Sequence, residues 1–225
     1  MTEVHGPRHP RGGLTTIGVG TVRAVPDVVV VRLAAQSTDP QAATALAAAG
    51  ESSAAIIAAL VAAGTERRDI RTVSTSSWTD PGQAADDAGQ GGRRERTTVS
   101  IAVEATLRDT ATAGQLAAGA VVAGGSCGRL EATTFQVADP GPAVAQAREL
   151  AFDQAVAAAA QLAGLTGRPL GRVIDVREES EPAPRVMALK ATRAMVADLP
   201  LEGGQQEVTV RLVVRHGWSF PPDEA

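Results

Sequence analysis

Apolar positions along this chain switch between two periods, one suited to strands and one to helices. From Thr15 the residues run in strand fashion, and between Val28 and Ala35 both alternating sets are apolar, so that strand is expected to be covered on both faces. Pro26-Asp27 interrupts the pattern with turn chemistry, because proline presets the turn and aspartate accepts a local hydrogen bond. The expectation is a hairpin of roughly 15–24 against 28–37, or one long kinked strand.

Asp39-Pro40 supplies a capping side chain and a first-turn proline, and Ala42, Leu46, Ala49, Ser53, Ile56 and Leu60 then recur at helical spacing until Gly64. "DIRTVSTSSW" (69–78) and "TTVSIAVEATL" (97–107) read as strands, the second with Val99, Ile101, Val103, Ala105 and Leu107 inward. The polar stretch 79–95 between them is expected to be a mobile loop. The unit then recurs in outline. Asp109 opens a helix to about Val122, Gly124-Gly125 ends it, and 129–138 forms a strand. Asp139-Pro140 opens the longest helix, about 141–163, whose stripe Val144, Ala147, Ala151, Ala155, Ala158 and Leu162 is mostly alanine. Strands at 169–179 and 207–215 follow, separated by a long loop at 181–206.

The order β(β)αββαβαββ predicts an α+β fold, antiparallel sheet with long Ala-rich helices packed on it, and a first portion with the split βαβ order. Residues 1–13 and 219–225 read as tails, and 14–218 as a single domain.

Composition narrows the chemistry. Of 225 residues 44% are hydrophobic but only 2% aromatic, so the core must be built from Ala, Val, Leu and Ile. A net charge of −4 and few aromatics argue against nucleic acid as partner. The Ala-rich helices are broken by Ser, Gln, Glu or Asp, so no membrane span is expected. One cysteine, Cys127, excludes an intramolecular disulfide and fits a reducing compartment. The first 13 residues carry no apolar signal region, so the expectation is a soluble cytoplasmic chain, periplasmic or secreted only if a leader has been removed.

No catalytic, cofactor or metal constellation emerges. Gly18-Val19-Gly20 lacks the third glycine of a dinucleotide loop and continues as strand, and the single lysine, Lys190, is no Walker lysine. Gly18 and Gly20, with Pro26 and Asp27, are therefore structural. His5 and His9 sit among Gly and Pro, and only His216 could serve Cys127 as a base. Two surface candidates remain. Arg93, Arg94 and Arg96 could contact an anion or an acidic partner. Met187, Leu189, Met195, Val196 and Leu199 bring adaptable apolar side chains to the 181–206 loop, as a subunit interface would.

Taken in order, Gly18-x-Gly20 before Pro26-Asp27, "AAGTERRDIRT" (62–72), "LAGLTGRPLGRVIDVREE" (162–179) and the terminal "EVTVRLVV" strand resemble the SIMPL-domain family, which includes periplasmic immunogenic and oxidative-stress defence proteins. The resemblance covers about residues 14–216. It implies an α+β fold, ring-like homo-oligomers, and roles in stress tolerance or association with signalling partners, without catalytic residues or a cofactor. Two departures from the family stand out: the absent signal peptide, and "LEGGQQE" in place of a proline-glycine approach to the last strand. The functional expectation is a non-enzymatic, oligomer-forming structural or interaction protein. The alternative is a small-ligand or anion-binding module using the arginine cluster or the 181–206 loop.

Overall fold

The computed structural model describes residues 12–81, 95–179 and 201–219. In chain order they form β1 (Gly13–Ala24), β2 (Val28–Asp39), α1 (Ala42–Ala62), β3 (Ile70–Asp80), β4 (Arg96–Leu107), α2 (Ala113–Ala123), β5 (Gly128–Gln136), α3 (Gly141–Thr166), β6 (Leu170–Glu179) and β7 (Gln206–Trp218). The fold is α+β with antiparallel sheets, as the periodicity predicts. The span expected as one domain groups its contacts into two compact units. Among the described residues, one unit holds 12–24, 139–179 and 205–219, and the other 25–81, 95–138 and 201–204.

The second of these units carries the βαββαβ order, and its sheet runs β3-β4-β2-β5 with every neighbour antiparallel. That is the split βαβ arrangement, with β4 inserted between the two strands that α1 connects. Val29, Val31, Leu33 and Ala35 of β2 bury one face against Ile56 and Leu60 of α1 and Ala113, Ala117 and Ala120 of α2. Val28 and Ala34, on the opposite face of β2, are also buried, which explains the uninterrupted apolar run.

In the other unit the sheet order is β1-β7-β6, and α3 lies across β1 and β7. Ala147, Ala151 and Ala155 of α3 bury Val210, Leu212 and Val214 of β7.

Each helix opens from an aspartate and closes near a left-handed glycine. The Asp39 Oδ1 accepts the Gln41 N–H at 2.8 Å, Asp109 Oδ1 the Ala111 N–H at 3.0 Å, and Asp139 Oδ1 the Gly141 N–H at 2.9 Å. Gly64, Gly125 and Gly167 have φ of 96°, 60° and 65°. Asp39 and Asp109 hold a backbone N–H just ahead of their helices and Asp139 that of the first residue of α3, while glycine turns left without steric cost.

Three expectations are corrected. Residues 15–24 and 28–37 do not form a hairpin: β1 pairs with β7, and β2 with β4 and β5. The valine-rich strand is central to its own sheet, and a strand with two buried faces demands neighbours on both edges. On α1 the buried set is Ala45, Ala49, Ser52, Ser53, Ile56 and Leu60, leaving Leu46 54% exposed. On α3 the buried set is Ala147, Ala151, Ala155, Ala159 and Ala163, in place of Ala158 and Leu162. A strict spacing of four follows an oblique ridge of the helix surface, which is the line that meets the strand beneath.

Candidate functional site

The glycines of β1 mark where α3 comes down onto the sheet. Gly18 and Gly20 face the helix, and a Cβ on either would overlap the carbonyl oxygen of Ala151 or Ala147. The same Cβ atoms would lie 2.8 Å from the Ala155 nitrogen and 2.7 Å from the Ala151 nitrogen. Between them and the helix start of the strand, Thr16 donates its hydroxyl to the Ala155 carbonyl at 2.8 Å. Backbone meets backbone here, with no space left for a phosphate.

Asp27 acts at long range instead of within its own turn. Its N–H donates to the Gln136 carbonyl at 3.1 Å, and its Oδ1 accepts the Ala138 N–H at 2.7 Å. The Pro26-Asp27 step thus ties the start of β2 to the end of β5.

Of the arginine cluster, Arg96 opens β4, exposed, in register with Asp80 of β3. Arg93 and Arg94 lie outside the described residues, as do Met187, Leu189, Met195, Val196 and Leu199. Several described charged side chains work as pairs. Arg108 grips Asp69 with Nε at 3.0 Å and Nη2 at 2.9 Å. That hydrogen bond, and then the adjacent negative charge, raises the Arg108 pKa. Arg148 of α3 holds Glu178 of β6 at 2.8 and 3.2 Å. The bond lowers the Glu178 pKa and raises that of Arg148.

One polar hollow of about 460 Å³ opens at the end of β2, lined by Gln36, Ser37, Thr38, Ser126, Cys127 and Arg129. Arg129 Nη1 is committed to the Ser126 and Gly128 carbonyls at 2.8 Å each. The half-buried Cys127 thiol has no histidine in its unit, since His216, the one histidine described, belongs to β7. Among the described residues no three His, Cys, Asp or Glu side chains gather to hold a metal. By length and composition α1 could cross a membrane, yet its Ile56 and Leu60 are buried in the core of its unit.

Sequence reasoning missed the face of the three-stranded sheet opposite α3. Ile17, 45% exposed, pairs across with Val213, and Val19, 40% exposed, pairs with Arg211. Around them Arg211 meets Glu179 at 2.6 Å and Arg177 meets Asp175 at 2.9 Å. The signal was present: glycines at 18 and 20 leave side chains at 17, 19 and 21 to define only one face of the strand.

The family model SIMPL, described as a protein of unknown function (DUF541), matches residues 14–215. The chain belongs to the SIMPL family. It is 31% identical over 188 residues to the uncharacterized protein YggE of Escherichia coli K12, covering 82% of this chain and 74% of that one. The same figures hold for YggE of Escherichia coli O157:H7 and of Shigella flexneri. The SIMPL match runs from β1 into β7, so it takes in parts of both compact units.

Proposed function

We propose that this SIMPL chain is a non-enzymatic, oligomer-forming structural or interaction protein, acting through its surfaces. The observation that carries this reading is the open sheet face of β1, β7 and β6, where the exposed Ile17 and Val19 of the edge strand β1 lie beside Val213 of β7 and are flanked by the ion pairs Arg211–Glu179 and Arg177–Asp175. Exposed apolar side chains bordered by charged pairs suit a surface that meets another protein. Arg108–Asp69 and Arg148–Glu178, two of the described ion pairs, hold charged side chains against one another on the surface, which suits this reading. Any part in stress tolerance or signalling is, on this reading, exerted by assembly and partner contact. Native mass spectrometry at micromolar concentration tests it: a discrete assembly is expected, reduced in size by Ile17→Asp, and a strictly monomeric wild type overturns it.

A second reading, a small-anion module, draws support from the Gln36–Thr38 and Arg129 hollow. A thermal-shift screen of inorganic anions and nucleotides separates the two. Stabilisation that Arg129→Gln abolishes favours the module, and its absence leaves the surface reading alone.

A further inference from the structure

Among the described residues two open sheets have four edges, and three of them are blunted. On β1 the Val19 N–H is taken by Gln154 Oε1 from α3. On β5 the register shifts opposite Arg32 and Leu33, leaving Glu131 as an extra residue paired to Arg32 at 2.9 Å. On β6 the register breaks twice, and Asp175, Arg177, Glu178 and Glu179 line the strand. Such bulges, charges and side-chain caps keep a free edge from pairing with another chain.

The fourth edge, β3, carries almost none of this. From Thr72 to Thr79 its sequence is TVSTSSWT, with no charge, proline or glycine. One bulge at Val73 separates Thr72 from Ser74, and from Ser74 to Asp80 the ladder to β4 is unbroken. All seven of those residues are exposed, including Trp78 at 48%. Charge sits only at the two ends, Arg71 at the start and Asp80 at the finish.

We propose that β3 is the pairing edge between two copies of this chain, antiparallel and two-fold symmetric about Ser76. This rests on the assembly reading above and adds a second contact, a strand edge, to the sheet face named there. The end charges suit the antiparallel direction: a second antiparallel β3 sets Asp80 of one copy beside Thr72 and Arg71 of the other, at both ends at once, with Arg71 also held by Glu104 of its own β4 at 2.6 Å. A parallel copy would set like charges side by side. A two-fold contact is self-complementary by construction, and the small Ser74 opposite Trp78 gives the indole room. The outward-facing backbone groups of Ser74–Asp80 would join a continuous sheet of eight strands, four from each copy.

Two variants and one spectroscopic probe test the pairing. Ser76→Lys sets two ammonium groups face to face on the symmetry axis, so native mass spectrometry should show at least a tenfold weaker association. Val122→Lys, at a site 78% exposed on α2, should leave association unchanged. In a Cys127→Ala background, a nitroxide on Ser76→Cys should show dipolar broadening that dilution with unlabelled protein removes. If the wild type assembles, Ser76→Lys assembles equally well and the spectrum is sharp, the edge pairing is wrong while the assembly reading survives. A monomeric wild type overturns both.

Discussion

Gly18 of β1 lies directly beneath the carbonyl oxygen of Ala151 on α3, with no room between them for a single methyl group. Gly20 stands in the same relation to Ala147, one helical turn away. The alanine ridge of α3 and the glycines of β1 are therefore two halves of one contact, in which small residues on both sides let two backbones touch.

Replacing either glycine should be costly even with alanine, because the obstacle is backbone and cannot swing aside. Gly20→Ala and Gly20→Val are each expected to destabilise by about 3 kcal/mol or more, at the upper end of overpacking penalties. Urea unfolding followed by far-UV circular dichroism measures this, and a wild-type midpoint for Gly20→Ala would show that the helix does not sit on the strand.

Glycines elsewhere should respond with the opposite sign. Gly50 in α1 and Gly119 in α2 have nothing from the described residues within 4 Å of the position a Cβ would take. Alanine there restores helix propensity without a clash, so Gly50→Ala and Gly119→Ala should each stabilise by up to about 1 kcal/mol. Measured in the same urea experiment, a loss of stability at either position would contradict the open space above them.

Leu60 and Leu46 separate what the chain's pattern reveals from what it hides. Both fit a helical stripe, yet Leu60 is 1% exposed and Leu46 54% exposed. Leu60→Ala is expected to cost about 2–5 kcal/mol and Leu46→Ala less than about 0.5 kcal/mol. Comparable losses by thermal denaturation would place Leu46 in the core and shift the buried face of α1.

Element order and the helix entries were legible because each depends on local chemistry: Asp39, Asp109 and Asp139 bond two residues ahead as the chain enters each helix, and Gly64 turns left at the end of α1. Strand partnership was not. The turn signal at Pro26-Asp27 suited a hairpin, but β1 finds β7 nearly two hundred residues on, as in the pair Thr21–Thr209. Asp27 is spent on Ala138 and not on its own turn, and no spacing rule announces a bond across that distance. Helix faces slipped for a related reason: leucine at 46 and 162 obeys the period, while burial follows the smaller alanines that the sheet can approach. The candidate surfaces at Ile17 and Ser76 became visible only once each strand had a place in its sheet.

Acid should weaken the protein through Glu178 and Asp109 in a defined direction. Arg148 holds the Glu178 carboxyl below its ordinary value of 4.5, and the Thr112 hydroxyl with the Ala111 N–H holds Asp109 below 3.8. A carboxylate depressed on folding stabilises fully above its ordinary value, and that contribution is lost as pH falls through the folded value. Glu178→Gln and Asp109→Asn should therefore be less stable than wild type at pH 7 and converge with it in acid. Both sites are open to solvent, so the differences will be modest, and added salt should shrink that of Glu178→Gln more. Variants whose deficit persists or grows in acid would contradict the sign.

His216 makes the last case, because it is buried to 3% exposure while its Nδ1 has no hydrogen-bond partner among the described residues. It stands on the α3 side of β7, between Leu14 of β1 and Val173 of β6, with apolar neighbours across both ladders. A buried nitrogen without a partner forfeits its hydration and receives nothing in return, so a side chain of similar bulk without polar atoms removes a cost. His216→Leu should then be neutral or stabilising by up to about 2 kcal/mol, unlike most core substitutions. His216→Ala should still destabilise, since it opens a cavity between strand and helix. Guanidinium unfolding of the pair decides it. If leucine is as damaging as alanine, His216 makes a polar contact that holds the sheet, and the imidazole is needed for more than its volume.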